Sequence, residues 1–288
     1  MTLWEQFQKL DPIGTVLFLP SIILMPDTAT LPMRILSQRT IAFSALFAFS
    51  SQSGMIVVTY FIPIFFQALK NFSPTKSGEA TIPFILSLVI GTILAGGLVQ
   101  RIGYPAPFMV LSAVIFSVGT GLVTTWPVNV HHSVWIGYQF LIGFGVGIGM
   151  QQPSMNAQIV LSKEDNPTGV SLMMFAQNFG GAIFLSVAQS VFTDELARQL
   201  TKISELHLSK SEIVEMGATN IRKMVPPQLL SVFLECYRVA IRNAIYVALG
   251  LACFSLVGAV LVEWKSIKKN EEVPLEDDSG VDVKGRDV

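Results

Sequence analysis

Long runs of residues without charged side chains extend through most of this sequence. Six such stretches reach about 20 residues or more, the length that a helix rising ~1.5 Å per residue needs to cross ~30 Å of hydrocarbon. The sequence therefore predicts an all-α, polytopic membrane protein. Its six transmembrane helices are predicted at residues 41–69, 78–99, 107–125, 133–161, 169–192 and 239–262.

Three further segments flank or separate the predicted spans. Residues 1–40 form an N-terminal stub, whose apolar segment 12–25 is too short to cross a bilayer, followed by a cytoplasmic linker. Residues 194–238 combine helix-spaced apolar side chains with charges, which is typical of an amphipathic loop on the outer membrane surface. Residues 263–288 are polar and of mixed charge, so we expect a disordered cytoplasmic tail.

Composition argues against several classes of function. Only 14% of the residues are charged and 51% are hydrophobic, whereas an average soluble domain is about a quarter charged. The net charge of -1 offers no basic surface for nucleic acid. With two cysteines and no clustered ligand set, we expect no metal and no cofactor. We expect no enzyme either, since a nucleophile elbow, a P-loop and an H-E-x-x-H motif are all missing from the sequence.

The distribution of basic residues predicts the orientation in the membrane. An even number of spans puts both termini on one side, and short cytoplasmic loops are enriched in Lys and Arg. With both termini cytoplasmic, the inner segments hold Arg34, Arg39, Arg101, Lys163, Lys265, Lys268 and Lys269, and the short outer loops hold Lys70 and Lys76. Basic residues within segment 194–238 oppose this assignment. The outer side also holds Asn71, in a sequon for N-glycosylation.

Four glycines alternate through the fourth predicted span, from Gly143 to Gly149. The same spacing occurs in dinucleotide-binding loops, but those follow a strand in a soluble βαβ unit, and this run lies inside an apolar span. Glycine at every second position lets neighbouring helices approach closely on more than one face, or lets the span bend. The run therefore predicts close helix packing, with rocking during transport as its functional extension.

Uncharged amides mark the end of the fourth span and the interior of the fifth. Gln151, Gln152 and Asn156 fit either the lining of a cavity or the capping of a helix, because unpaired amides are costly in hydrocarbon. Gln177 and Gln189 fit either a substrate path or hydrogen bonds between helices. An uncharged polar face suits a wide, apolar substrate path.

Glu79, at the start of the second span, is the acidic residue that this sequence offers for proton coupling. Proton-coupled carriers usually place a carboxylate inside the membrane, where protonation strongly changes its free energy. A carboxylate at the membrane boundary is also commonly solvated. Glu79 is therefore either a proton-coupling residue or a solvated surface residue.

Several segments together resemble the C-terminal half of fungal multidrug and toxin efflux pumps of the major facilitator superfamily, in the drug:proton antiporter subgroup with fourteen spans. The resemblance covers roughly residues 10–264, and the order and spacing of the motifs carry it. The matching segments are Leu10–Gly14, Ala29–Ile35, Tyr60–Gln67, Ala95–Tyr104, Gly143–Gln158 and Gln177–Gln189.

The resemblance implies proton-coupled export of a hydrophobic small molecule, such as a secondary metabolite, toxin or drug, at the cell membrane. It also implies that Arg101 belongs to a cytoplasmic gating loop, although a basic residue there is equally a positive-inside anchor. The residues expected to line a substrate path or gate are Gln67, Arg101, Gln151, Gln152, Asn156, Gln177 and Gln189.

Two departures from the family pattern define the alternatives. The apolar segment 12–25 runs straight into the next motif where relatives have most of another span, and the sequence begins near the middle of the family's length. Transport sites of this superfamily form between two six-span halves. We therefore expect a truncated exporter, or alternatively an inactive or regulatory half. Besides the lipid bilayer, the expected partners are a hydrophobic substrate and an N-terminal half, a full-length pump or a second copy of this chain.

Overall fold

The computed structural model describes residues 33–201 and 228–266, and this part of the chain consists of helices joined by short connections. Most of the predicted stub, residues 202–227 of the predicted outer loop and nearly all of the predicted tail lie outside the described residues. The helices are α1 Met33–Leu36, α2 Arg39–Lys70, α3 Pro74–Glu79, α4 Ile82–Ile102, α5 Ala106–Val123, α6 His132–Gly149, α7 Gln152–Val160, α8 Asn166–Leu200 and α9 Leu230–Leu261.

Six helical segments in the described residues are long and apolar enough to cross a membrane. They are α2, α3 with α4, α5, α6 with α7, α8, and α9. Even α5, with 18 residues, extends about 27 Å at ~1.5 Å per residue. The predicted fold class, an all-α protein with six membrane spans, is confirmed.

The last two spans are longer than the sequence predicts. α8 continues beyond residue 192 to residue 200, and α9 begins at residue 230 instead of 239. An ion pair three residues apart stabilises each extension, Glu195 with Arg198 in α8 and Glu235 with Arg238 in α9. Four charged residues of the predicted surface loop are thus paired within helices. Both ends of segment 194–238 are helical.

The fourth predicted span consists of two helices. α6 ends at Gly149, and α7 begins at Gln152 with Pro153 in its first turn. Proline has no backbone N–H and is tolerated at the start of a helix but not inside one, so Pro153 accounts for the break. The short helix α3, which precedes α4, also has a proline in its first turn, Pro74.

The six spans pack as one row of neighbours. α4 packs against α6, α6 against α5, α5 against α9, α9 against α2, and α2 against α8, while α8 also contacts α9. Exchanging α2 with α6, α4 with α8 and α5 with α9 reverses this row, so every pair of neighbours in the row is replaced by another pair of neighbours. The first three spans and the last three are therefore structural repeats.

The two repeats run through the bundle in opposite directions. The end of α2 lies beside the start of α6, where Lys70 Nζ donates to the Val130 carbonyl at 2.9 Å. The start of α2 lies beside the end of α9, where Arg39 Nε donates to the Leu261 carbonyl at 3.1 Å. α2 therefore starts at the end of the bundle where α6 finishes. Inverted repeats of this kind are typical of secondary transporters.

The alternating glycines of α6 bring two neighbours close at once. A Cβ added at Gly147 would collide with the Leu88 carbonyl of α4. A Cβ added at Gly145 would lie 2.7 Å from the backbone N of Phe116 in α5. Because successive odd-numbered glycines face different helices, α6 packs closely on two sides, as the sequence pattern predicts.

We expect Gly147→Ala to lower the stability of the bundle by about 1–3 kcal/mol, the usual cost of overpacking. The added methyl group meets a backbone oxygen, which moves only if α4 moves. Thermal unfolding of the purified chain in detergent measures the effect.

Gly96→Ala in α4 is the matched control, because an added Cβ there has nothing within 4 Å. Alanine favours a helix over glycine by up to ~1 kcal/mol, so this variant should be at least as stable as the parent. Equal unfolding midpoints for the two variants would contradict the close contact at Gly147.

Candidate functional site

Two spans, α4 and α8, are much less buried than the others. In their most apolar stretches 28% and 22% of the residues are buried, compared with at least 44% in the other four spans. Both lie at the ends of the row of packed helices. Their exposed faces are therefore the surfaces that this bundle offers to lipid, substrate or another chain.

The exposed face of α8 is mixed, whereas that of α4 is apolar. All exposed residues of α4 from Ile82 to Leu98 are apolar. The exposed face of α8 combines large apolar side chains with polar ones, namely Met174, Phe175, Phe179, Ile183 and Val187 with Ser171, Asn178, Ser186 and Ser190. Polar side chains within a span usually face a bundle interior or a water-filled cavity. The exposed face of α8 is therefore more polar than that of α4.

A groove between α2 and α8 contains the clearest binding features on this face. It has a volume of about 340 Å³ and is lined by Tyr60, Leu185, Ser186 and Gln189. The Oε1 atom of Gln189 is buried and accepts no hydrogen bond from the described residues. A buried acceptor without a partner is unfavourable, so this oxygen is an unsatisfied polar group at the edge of the groove.

Glycines and aromatic rings hold the two walls of the groove together. A Cβ added at Gly180 of α8 would lie 2.8 Å from the Phe49 carbonyl of α2, so the two helices touch at this level. The Phe49 and Phe184 rings pack edge to face, with centroids 5.7 Å apart. Further along, Phe61 packs on Phe192 at 5.5 Å. The groove therefore has a rigid frame on both sides.

A second group of predicted residues lies around the joint between α6 and α7. Gln152 is buried, with its Nε2 donating to the Ile148 carbonyl at 2.9 Å and its Oε1 without a partner in the described residues. Gln177 Nε2 of α8 lies 3.5 Å from the Met150 carbonyl. Gln151 is exposed beside them. The structure thus brings three of the predicted amides to one end of the bundle.

Asn156 connects three helices inside the bundle. Its Nδ2 lies 3.1 Å from Ser44 Oγ of α2 and 3.1 Å from Met109 Sδ of α5. The Asn156 side chain is 2% exposed. These contacts give it a packing role. Gln189, about 18 Å further along α8 than Gln177 at ~1.5 Å per residue, belongs to the separate groove at Tyr60.

The other predicted residues do not join either group. Gln67 Nε2 donates to Ser77 Oγ at 3.0 Å and connects α2 to α3. Asn71, the sequon residue, is exposed in a left-handed conformation with φ 57° at the end of α2. Glu79 is exposed at the end of α3, and Arg101 is exposed at the opposite end of the bundle, near the end of α4.

Three groove residues, Tyr60, Leu185 and Ser186, are not among the predicted site residues. All three fall within segments that carry the family resemblance, but nothing in their own spacing distinguishes them. Ser186 and Gln189 are three residues apart, which places them on one side of α8 and was the available signal. The contribution of Tyr60 depends on how α2 packs against α8. Among the described residues, no group of three or more His, Cys, Asp or Glu residues could hold a metal ion.

A bundle of two inverted three-helix repeats, with a polar groove on one of its least buried spans, has the architecture of one half of a secondary transporter. The chain belongs to the Major Facilitator Superfamily, because its residues 12–185 match the sequence model of that family. Members of this family are transporters rather than enzymes. The chain is accordingly a multi-pass membrane protein.

Fungal relatives match most of the chain and confirm the predicted resemblance. The efflux pump aflT of Aspergillus parasiticus is 36% identical over 93% of this chain and 60% of its own length. The efflux pump ustT of Ustilaginoidea virens is 41% identical over 93% of this chain and 58% of its own length. The rubrofusarin-specific efflux pump aurT of Gibberella zeae is 34% identical over 93% of this chain and 56% of its own length. The chain thus spans about three fifths of the length of these relatives.

We expect Asn156→Ala to destabilise the bundle by about 1–3 kcal/mol, since it removes a buried hydrogen bond and leaves Ser44 without this donor. Gln151→Ala, at an exposed amide in the same joint, should change stability by less than about 0.5 kcal/mol. Chemical or thermal unfolding in detergent measures both. An Asn156→Ala chain as stable as the parent would contradict the bridging role.

Proposed function

We propose that this chain forms the C-terminal half of a proton-coupled efflux pump that exports a hydrophobic small molecule, such as a secondary metabolite, toxin or drug. The observation that carries the proposal is the mixed exposed face of α8, with the groove at Tyr60 and Gln189. The names of the three relatives support it, since all three are efflux pumps and one is named for rubrofusarin.

The groove has the chemistry expected for a hydrophobic substrate with one or more hydrogen-bond donors. Small-molecule sites are mostly apolar, with a few polar groups that fix the orientation of the ligand. Leu185 and the half-exposed ring of Tyr60 supply apolar surface, and Gln189 Oε1 supplies an acceptor. The Ser186 hydroxyl donates to the Ala182 carbonyl within its own helix, which leaves its lone pairs for a substrate donor.

The exposed faces of α4 and α8 support the proposal that a second six-span unit completes the site. Transport sites of such proteins lie between two halves. The proposed partners are an N-terminal half, a full-length pump or a second copy of this chain, and an N-terminal half is the first choice because the relatives are longer than the matched region.

We propose a location in the cell membrane with both termini in the cytoplasm. Arg34, Arg39, Arg101 and Lys163 belong to the end of the bundle where α2 starts, which fits the positive-inside rule. Asn71 belongs to the other end, and its exposure is compatible with glycosylation there. Glu79 stays a prediction for proton coupling. Its position outside α4 makes its carboxyl group accessible from solvent.

The proposal is tested by dye efflux from pump-deficient yeast that co-expresses this chain and the N-terminal half of a relative. We expect cells to retain several-fold less rhodamine 6G than cells with either half alone, and a protonophore to remove the difference. Gln189→Leu should restore dye retention at an unchanged level of protein in the membrane, because it removes the free acceptor while keeping the volume of the side chain.

Gln228→Leu is the matched control, since this amide is exposed just before α9, lies outside the groove and is not a predicted site residue. It should leave efflux unchanged. Two halves that associate in the membrane but never move dye would contradict the transport proposal and favour the regulatory alternative. Equal effects of the two substitutions would contradict the assignment of the groove.

A further inference from the structure

Three polar side chains meet at the end of the bundle where α2 starts. Arg34, in α1, donates from Nη2 to both carboxylate oxygens of Asp165, at 3.0 Å to Oδ1 and 2.9 Å to Oδ2. The Ser162 hydroxyl donates to Asp165 Oδ2 at 3.0 Å and accepts from the Asp165 backbone N–H at 3.3 Å. One carboxylate therefore holds a guanidinium group from a distant part of the chain and a hydroxyl group from its own turn.

Ser162 lies on the surface, in the short connection from the end of α7 to Asn166, the first residue of α8. Ser162, Lys163 and Glu164 are all exposed. Backbone N–H groups of Asp165 and Asn166 donate to the Ser162 carbonyl at 3.1 and 3.0 Å. A turn at the surface with few hydrogen bonds opens locally at low cost in free energy. An enzyme therefore has access to the Ser162 hydroxyl group.

The sequence of this connection has the pattern that one class of protein kinases selects. Residues 162–165 read Ser-Lys-Glu-Asp, so acids stand two and three residues after the hydroxyl group. Acidic-directed serine kinases select such serines, because basic side chains in their substrate groove pair with the acids. Ser37, in the turn between α1 and α2, is also exposed, but Gln38, Arg39 and Thr40 follow it. These two exposed serines therefore differ in the feature that such a kinase recognises.

We propose that Ser162 is phosphorylated by a cytoplasmic, acidic-directed serine kinase and that Arg34 binds the resulting phosphate. The kinase transfers the γ-phosphoryl group of ATP. A bond forms between phosphorus and Ser162 Oγ, the bond to the β-phosphate oxygen breaks, the hydroxyl proton passes to the base of the kinase, and ADP leaves. The inference rests on the proposed orientation, which places this end of the bundle in the cytoplasm, and not on transport activity.

The hydrogen bonds place Arg34 within reach of the phosphate. Arg34 Nη2 and Ser162 Oγ bond to the same oxygen of Asp165, at 2.9 and 3.0 Å, so they are no farther apart than these two distances combined. The Arg34 side chain is 72% exposed and rotates without repacking the core. A phosphoserine carries about -1.5 to -2 charges, so it attracts a guanidinium group more strongly than a carboxylate does, and it repels Asp165. Phosphorylation therefore transfers Arg34 from Asp165 to the phosphate and strengthens the link between α1 and the start of α8.

Phosphate mapping of the full chain in detergent tests the site. The purified chain is incubated with ATP, magnesium and casein kinase II, an acidic-directed kinase, and its phosphopeptides are identified by mass spectrometry. We expect phosphate on Ser162 and none on Ser37. An unmodified Ser162, in a reaction in which added casein is phosphorylated, would overturn the proposal.

Two substitutions separate recognition of the acid from loss of the ion pair. Asp165→Asn removes the acid three residues after Ser162 and should lower the phosphate on Ser162 several-fold. Arg34→Gln breaks the same ion pair but keeps the acid, so the phosphate on Ser162 should not fall. Equal losses in the two variants would overturn recognition of this site by an acidic-directed kinase.

Thermal unfolding in detergent measures the link to Arg34. Phosphorylation should raise the unfolding midpoint of the parent chain by a few degrees and that of Arg34→Gln by less, because the phosphate in this variant lacks its partner. Ser37→Ala, at the other exposed serine, is the matched control and should show the same rise as the parent. Equal shifts in the parent and in Arg34→Gln would overturn the binding of the phosphate by Arg34.

Cysteine labelling distinguishes this inference from the proposed orientation and from transport. Lys163→Cys, in a chain whose Cys236 and Cys253 are replaced by serine, should react with a membrane-impermeant maleimide only after the cells are permeabilised. Reaction in intact cells would overturn the proposal, since a cytoplasmic kinase would not reach Ser162. A chain that is phosphorylated on Ser162 but moves no dye would support the proposal and contradict the transport function alone.

Discussion

Close contact between helix backbones at glycine is the interaction on which this bundle depends. In a bilayer the hydrophobic effect does not drive helices together, because lipid tails are as apolar as leucine, so packing at small residues has to hold them. α6 uses its own glycines to contact α4 and α5. Around α2, the first helix of the other repeat, the neighbouring helices supply part of the set, with Gly180 on α8 and Gly258 on α9. Close glycine contacts therefore occur around both α6 and α2. Around α6 the glycines lie on α6 itself, whereas around α2 part of them lie on its neighbours.

This mode of packing determines where the bundle has free surface. Each repeat places its first helix between two neighbours, and its third helix, α5 or α9, joins the two repeats in the middle of the row. The second helix of each repeat, α4 or α8, is left at an end. Polar groups that serve a ligand can lie on such a helix without disturbing the contacts that hold the remaining spans. The groove at Tyr60 and Gln189 occupies that kind of position.

The sequence alone predicts the number and the approximate limits of the spans, because long uncharged runs between charged segments have few other uses. Helices α8 and α9 extend beyond the predicted spans, and the ion pairs Glu195–Arg198 and Glu235–Arg238 lie in these extensions. The spacing of residues along the chain does not predict which side chains meet across the bundle. Asn156 meets Ser44 from 112 residues away, and Gln189 meets the α2 residue Tyr60 only because α8 packs there.

The outer faces of α4 and α8, the second helices of the two repeats, differ in polarity. α4 and α8 both lie at an end of the row, but they do not pack in the same way. α4 exposes only apolar side chains along its span, while α8 exposes serines and an asparagine among aromatic residues and borders a groove with an unpaired amide oxygen. α8 also contacts α9 closely, whereas α4 makes few contacts with α5. The polar groups on the outer face of α8 are therefore a feature that the two repeats do not share, and a substrate path along α8 is the explanation that we propose for them.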